Sequence, residues 1–329
     1  MTLRMLVAGM LALAATVWWM EAHAQAPAKM PRVAVLCTTH CAGPSHDAFL
    51  GTLRELGRFD GRTIVLDTRA AGGQLDRLPV LAGELLGARP DVIVASAPQG
   101  VRAVRDATST VPIVMVGVAD PVLIGLVPSL ARPGGNLTGL ATLPARGFIA
   151  KQLELLTEML PHATRIAVFW NSKNDIHRAN LHEELPPAAE RLGIRLHLID
   201  VRDGAELEAA IDSAARGGAQ ALLAVGDPIF HRPVRRVPEL ALRARLPAIY
   251  LDAEVARSGG GLLAYGPDFL EMYRKAAVYV DRILKGGNPS EMPIEQPSKF
   301  LLVVNQRTAT ALGVAVPSAL LLRADEIVE

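Results

Sequence analysis

Two aspartates and a histidine are the residues of this sequence best suited to chemistry. Asp120 and Asp227 each follow a short apolar run and precede a proline, and His46 lies shortly after the apolar run 33–36. Carboxylates and an imidazole can share acid–base catalysis, and the same groups can hold a polar solute through charge and hydrogen bonds. The residue types alone leave both kinds of chemistry open.

The sequence lacks the common motifs of catalytic sites. It contains no G-x-x-x-x-G-K-[ST], no G-x-G-x-x-G after the first predicted strand, no H-E-x-x-H and no G-x-S-x-G. Gly134 and Gly135 could cradle a phosphate, but they follow an apolar segment and do not join a strand to a helix. We interpret this pair as a turn, and we expect a binding protein without a cofactor rather than an enzyme.

The two cysteines offer a second kind of chemistry. Cys37 and Cys41 lie four residues apart at the end of the first strand. In an exported protein we expect a disulfide here, which would clip the loop after the strand. Two free thiols are one alternative, and a zinc site completed by His40 and His46 is another, although this spacing matches no familiar zinc motif. We predict the disulfide and no metal.

Two further histidines, His177 and His182, lie five residues apart. Residues at this spacing do not share a helical face, because 3.6 residues make one turn. We therefore interpret both as solvated surface residues.

The elements that position these groups alternate between strands and helices. In the first part of the chain, strands are predicted over 32–36, 63–66, 91–95 and 113–119, with helices over 46–57, 75–88 and 100–107. In the second part, strands are predicted over 165–170, 195–199, 221–225 and 248–251, with helices over 148–160, 177–192, 205–216 and 234–244. Pro186 and Pro187 should kink or divide one of these helices. The alternation predicts an α/β fold with two Rossmann-like lobes built on parallel sheets.

The segment 112–139 reads PIVMVGVADPVLIGLVPSLARPGGNLTG, a buried strand that ends at Asp120 and is followed by a glycine-rich turn. Shorter runs extend the match over almost all of the chain after residue 30, at 49–57, 89–94, 246–250, 260–266, 283–286 and 304–313. With these runs the sequence resembles the ABC-transporter substrate-binding proteins of the tryptophan-binder-like group, a branch of the type 1 periplasmic binding proteins.

The resemblance implies two lobes joined by a three-segment hinge. We expect lobe 1 to comprise residues 25–139 and 266–292, and lobe 2 to comprise residues 140–265 and 293–329. By analogy, the chain returns to lobe 1 over 261–265, forms a helix over 269–284, crosses again over 293–297, and ends with a strand over 300–305 and a helix over 307–312. Such a protein binds its solute reversibly and delivers it to an ABC permease and its ATPase.

Strand ends indicate which residues would hold the solute. Parallel strands end at the same edge of a sheet, and the helices that follow direct backbone N–H groups toward that edge. We predict that the ligand-binding residues are Ser45, His46, Ser96, Ala97, Gln99 and Asp120 in lobe 1, and Asn171, Ser172, Asp227, Tyr250 and Asp252 in lobe 2. The alternative for Asp120 and Asp227 is that each caps a turn before proline.

Two features depart from the family pattern. Gly226-Asp227-Pro228 replaces the Asp-Asn pair often found there, and the loop 37–45 is unusual. Both weaken the case for an amino-acid ligand. We expect a small polar solute and leave two classes open, an amino acid or a related carboxylate.

The N-terminus and the composition suggest the compartment. Arg4, an apolar core over 5–20 and Ala22-His23-Ala24 form a secretory signal peptide over residues 1–24, with an uncleaved anchor as the alternative. The 34 basic and 33 acidic residues give a net charge of +1, which does not suggest a nucleic-acid partner. We therefore expect a periplasmic monomer that serves an importer, or alternatively a receptor module that senses a ligand and signals to a membrane partner.

Overall fold

The computed structural model describes residues 29–142, 147–231 and 234–329. The predicted signal peptide lies outside the described residues. Within these ranges, no helix combines the length and the apolar character that a membrane crossing requires.

The first sheet forms the core of lobe 1. It has five parallel strands in the order β2-β1-β3-β4-β5. The strands are β1 Arg32–Cys37, β2 Val65–Ala70, β3 Val92–Ser96, β4 Ile113–Val118 and β5 Leu137–Ala141, and the helices between them are α1 Pro44–Glu55, α2 Leu78–Gly87 and α3 Ala97–Ala107. The interior strands are apolar almost throughout because helices cover both faces of the sheet.

A glycine explains how β5 joins this sheet. A Cβ atom at Gly139 would lie 2.2 Å from the carbonyl oxygen of Met115 in β4, and the φ of Gly139 is +130°. Only glycine fits so close to a neighbouring backbone with that φ. The glycine that ends the segment 112–139 therefore has a structural role.

The second sheet forms the core of lobe 2. It has seven strands in the order β12-β11-β10-β9-β8-β6-β7, and the β10–β11 pair is antiparallel. The strands are β6 Arg165–Trp170, β7 Arg195–Asp200, β8 Ala221–Ala224, β9 Ala248–Tyr250, β10 Leu263–Pro267, β11 Phe300–Asn305 and β12 Glu326–Val328. The remaining helices are α4 Phe148–Met159, α5 Asp175–Glu183, α6 Leu185–Leu192, α7 Leu207–Arg216, α8 Pro228–His231, α9 Arg236–Arg243, α10 Ala253–Arg257, α11 Phe269–Leu284, α12 Gln306–Leu312 and α13 Ser318–Arg323.

The predicted fold class, two α/β lobes built on parallel sheets, is confirmed. The division of the helix over 177–192 is also confirmed, because α5 ends and α6 begins with Pro186 in its first turn. The sequence prediction missed α8 and α10, which are too short for a periodic pattern, and the terminal α13 and β12. It also placed the second strand too early, since β2 is a half-exposed edge strand whose polar residues do not form an apolar run.

Three passages connect the sheets. The chain leaves β5 for α4, leaves β10 for α11, and leaves residue 295 for β11. Although α11 follows a strand of the second sheet, it packs on α1 and on β4 in lobe 1. The N–H of Glu295 donates to the Gly139 carbonyl at 3.0 Å, and the N–H of Ala141 donates to the Glu295 carbonyl at 2.9 Å. We interpret these passages as the hinge.

A buried ion pair fastens α11 to lobe 1. The carboxylate of Asp281, which is 4% exposed, accepts from Arg58 at 2.9 Å and from Lys285 at 2.6 Å. Burial raises the pKa of Asp281, but the hydrogen bonds from Lys285 and Arg58 outweigh burial and hold this pKa below its usual value. The pair therefore stabilises the fold above the pKa of the unfolded carboxyl group, and this stabilisation is lost as the pH falls toward the folded pKa.

Asp281→Asn should lower the free energy of unfolding at pH 7 by about 2 kcal/mol, the range for losing charged hydrogen bonds. The difference from the wild type should shrink below about pH 4, where the carboxyl group of the unfolded chain is itself protonated. Urea unfolding at pH 7 and pH 3 measures both values. Asp106→Asn, which removes an exposed ion pair with Arg105, should change the free energy by less than about 1 kcal/mol. A loss for Asp281→Asn that stays the same at pH 3 would contradict the assignment.

Candidate functional site

A cleft lies between the two sheets, where their parallel strands end. It contains about 1110 Å³ of space, counting its open mouth. The loops after β1, β3 and β4 line it from lobe 1, and the loops after β6, β8 and β9 line it from lobe 2 together with the first turn of α4. The edge of each sheet where strands end is therefore turned toward the other lobe.

A disulfide shapes the lobe 1 side of the cleft. Cys37 and Cys41 are bonded, with an S–S distance of 2.07 Å. Between them lie Thr38 and Thr39, both buried, and the exposed His40, and all three line the cleft. Because the bond occupies both thiols, the alternative zinc site cannot form with these ligands. Among the described residues, no cluster of three or more histidine, cysteine or acidic side chains could hold a metal ion.

Two helices begin at the lobe 1 wall. Ser45 is buried in the first turn of α1, and the neighbouring His46 is half-buried. Burial lowers the pKa of His46 more than the nearby Asp47 raises it, so the imidazole is neutral at pH 7. Ala97 begins α3 with a φ of +60°, which is rare for a residue with a side chain. Such strain costs on the order of 1 kcal/mol and is most common at functional sites.

The lobe 2 wall is built around the carboxylate of Asp227, which is 1% exposed. Its Oδ2 accepts from the side-chain amide of Asn171 at 3.2 Å and from that of Asn174 at 3.0 Å. Its Oδ1 accepts from the backbone N–H of Ile229 at 3.1 Å. Within the described ranges, no lysine or arginine forms an ion pair with this carboxylate. Asp227 is therefore a buried anion held by neutral donors.

The prediction that His177 is a solvated surface residue is wrong, whereas His182 is exposed as predicted. His177 is 1% exposed and lines the cleft. The N–H of Asn171 donates to its Nδ1 at 2.8 Å, so Nε2 carries the proton and donates to the Gly226 carbonyl at 3.1 Å. Burial lowers the pKa of His177 more than the Asp227 charge raises it. This neutral imidazole braces the loops after β6 and β8.

Six of the predicted ligand residues line the cleft: Ser45, His46, Ser96, Ala97, Asp227 and Asp252. Asp252 also caps α10, because its Oδ1 accepts from the Glu254 N–H at 3.0 Å. The helices and turns after the strands bring these residues together, as the strand-end argument expected.

The other five predicted residues do not line the cleft. Asp120 caps a turn, because its Oδ1 accepts from the N–H groups of two residues that follow it. Ser172 hydrogen-bonds to Asp200. The side-chain amide of Asn171 donates to the Asp227 carboxylate, but Asn171 itself does not line the cleft. Tyr250 is wholly buried in lobe 2, because alternate residues of a strand point to opposite faces. The amide of Gln99 is buried outside the cleft lining.

Sequence reasoning missed an apolar wall and a buried amide. The additional residues that line the cleft include Phe148, Ile149 and Gln152 of α4, Asn174 and Ile176 after β6, and Phe269 and Tyr273 of α11. The residues of α4 and α11 lie at the start of helices that follow the connections between the lobes. The rule that ligands lie at strand ends therefore does not find them. The amphipathic start of α4 directly after the first connection was the available signal.

Three comparisons agree with this architecture. The family model described as ABC transporter substrate binding protein matches residues 33–328. A Clostridioides difficile (strain R20291) protein named "Tyrosine-binding protein" is 27% identical over 271 residues, which cover 82% of this chain and 77% of that protein.

Two solved structures share the fold. A conserved domain protein from Vibrio cholerae O1 biovar El Tor superposes with a TM-score of 0.82 at 28% identity, covering 91% of this chain and 100% of that one. The ABC domain of Streptococcus pneumoniae in complex with L-Trp gives a TM-score of 0.80 at 22% identity, covering 91% and 99%. The fold expected from the resemblance, that of the type 1 periplasmic binding proteins, is confirmed.

Reduction of the Cys37–Cys41 bond should loosen the cleft wall more than it destabilises the protein. A loop this short contributes only about 2 kcal/mol in the chain-entropy model. Hydrogen exchange with mass spectrometry should show faster exchange over residues 38–42 after reduction, with protection elsewhere retained. The double variant Cys37→Ser/Cys41→Ser should behave like the reduced protein and should not respond to reductant. Thiol labelling of both cysteines in the unreduced, denatured protein would refute the bond.

Proposed function

The chain belongs to the ABC transporter substrate-binding protein family and is therefore a solute-binding protein, not an enzyme. From this premise we propose that it captures an aromatic amino acid between its lobes and delivers it to an ABC permease and its ATPase. The observation that carries the proposal is the difference between the two cleft walls, one with a buried anion and the other with hydroxyls and helix N-termini.

The lobe 2 wall suits the ammonium group of the solute. A buried carboxylate without a protein cation is costly, because neutral donors replace only part of its hydration. Asp227 is in this position, with Asn171, Asn174 and the Ile229 N–H as its donors. A solute cation would complete the ion pair, and the hydrogen bonds of His177 to Asn171 and Gly226 hold the two loops that carry the carboxylate and its donors.

The lobe 1 wall suits the carboxylate of the solute. Thr38, Ser45 and Ser96 offer hydroxyl donors, and the first turns of α1 and α3 offer backbone N–H groups and a partial positive charge. The two walls thus have opposite preferences, which matches the two charged groups of a zwitterion.

An apolar wall suits the side chain of an aromatic amino acid. Phe148, Phe269 and Tyr273 line the cleft together with Ile176 and Leu251. Aromatic rings pack well against such surfaces. The names of the relatives support this class, since one is a tyrosine-binding protein and another structure holds L-Trp. These names favour an amino-acid ligand although Gly226-Asp227-Pro228 departs from the family pattern.

The transport role rests on the family and on the N-terminus. We propose export, removal of the signal peptide near Ala24, and a periplasmic monomer that docks on its permease. The three passages between the sheets would let the lobes close when the solute contacts both walls, because such contacts favour the closed state.

Asp227→Ala should weaken binding of L-tyrosine or L-tryptophan by about 1.5–3 kcal/mol, the range for losing a hydrogen bond to a charged group. Calorimetry on the mature protein measures this loss, after a thermal-shift screen has ranked amino acids, aromatic acids, nucleosides and small carboxylates. Asp120→Ala is the matched control, since Asp120 caps a turn and does not line the cleft. The affinity of this variant should equal that of the wild type. Unchanged affinity in a folded Asp227→Ala protein would move Asp227 from the site to the scaffold.

A further inference from the structure

Gln152 is a polar residue of the cleft that strand-end reasoning did not identify. It lies on α4, four residues after Phe148 and three after Ile149, and all three residues line the cleft. Residues at these spacings share one face of a helix. Gln152 is 0% exposed, although it is polar, so its amide has been removed from water. A buried amide needs hydrogen-bond partners.

The orientation of this amide is fixed by two carbonyl groups. Its Nε2 donates to the backbone oxygen of Tyr265 at 2.9 Å and to that of Tyr250 at 3.3 Å. Only the NH₂ end of an amide can donate to two carbonyls, so the group cannot be flipped. The oxygen must therefore occupy the other position, and both N–H bonds of Gln152 are already used.

The amide oxygen is left without a partner. Oε1 of Gln152 is buried and accepts no hydrogen bond from any described residue. A buried acceptor without a donor destabilises the unliganded state, and a molecule that supplies an N–H or O–H relieves this penalty. Since Oε1 can only accept, it cannot contact the carboxylate of a solute favourably. The group that it selects is a donor.

We infer that Oε1 of Gln152 accepts an N–H hydrogen bond from the ammonium group of the solute and is a specificity-determining residue for amines. This inference rests on the proposed function and adds a second acceptor to the Asp227 carboxylate. Gln152 and Asp227 line the same cleft, and an ammonium group has three N–H bonds, enough donors for both acceptors. A hydrogen-bonding site rejects an analogue that lacks the donor, because its own polar groups then stay buried and unpaired.

The hydrogen bond to the Tyr265 carbonyl connects Gln152 to the strand that leads into lobe 1. Tyr265 belongs to β10, the strand that leads into the second passage between the lobes. The ring of Tyr265 stacks on Phe148 at 5.4 Å, so the acceptor, the apolar wall and the passage form one packed unit. The position of Oε1 is therefore set by rigid elements rather than by a loop.

The test compares an amino acid with its des-amino analogue. L-tyrosine is paired with 3-(4-hydroxyphenyl)propionate, and L-tryptophan with 3-(indol-3-yl)propionate. Calorimetry measures both affinities in the mature wild type and in Gln152→Met, which keeps the side-chain length and removes the acceptor. Gln152→Met should weaken amino-acid binding at least tenfold and change binding of the analogue less than threefold. Gln99→Met, which alters a buried amide outside the cleft lining, should leave both affinities unchanged.

Each outcome decides the question. Equal weakening of both ligands assigns Gln152 to the scaffold and overturns the inference, as does an unchanged preference for the amine. If Gln152→Met does not fold, NMR on the wild type decides: the side-chain carbonyl carbon of Gln152 should shift when the amino acid binds and not when the des-amino analogue binds, and an unchanged resonance with bound amino acid overturns the inference. A wild type that binds neither amino acid overturns the proposed function as well, so the two failures are distinguishable.

Discussion

The buried carboxylate of Asp227 is the constraint on which the cleft depends. Neutral donors hold it, and among the described residues no lysine or arginine neutralises it. An anion in this position favours a cation from outside the chain, since pairing recovers part of the lost hydration energy. The neutral His177, hydrogen-bonded on both ring nitrogens, fixes the loops that carry this anion. The lobe 2 wall therefore offers the solute an anion and one further acceptor, the Oε1 of Gln152.

Lobe 1 supplies the opposite chemistry and the means to bring the two together. Its hydroxyls and helix starts suit an anion, and the disulfide limits the loop that presents them. The ion pair between Asp281 and Arg58 fixes α11 to lobe 1, so the passage from β10 into α11 connects lobe 2 to lobe 1. A zwitterion that contacts both walls stabilises the closed arrangement, whereas a solute with a single charged group contacts only one wall favourably.

Much of the fold could be predicted from the sequence because apolar runs and helical spacing mark buried elements, and α11 has the bounds that the family resemblance implied. The polar β12 and the short α10 carry no such pattern. The site was predicted less completely. Asp120 and Asp227 have the same local signal, an aspartate between an apolar run and proline, yet of the two only Asp227 lines the cleft. That difference depends on how the lobes pack, which spacing along the chain does not encode. The burial of His177 and the position of Gln152 depend on the same long-range packing.

Small-angle scattering of the mature protein tests the central claim, that a zwitterion held by both walls closes the cleft. With saturating L-tyrosine or L-tryptophan, whichever binds more tightly, the account predicts a smaller radius of gyration than for the unliganded protein. The des-amino analogue at saturation should leave the radius close to the unliganded value, since it lacks the group that Asp227 pairs with. An amino acid that binds at saturation without changing the scattering profile would contradict capture between moving lobes.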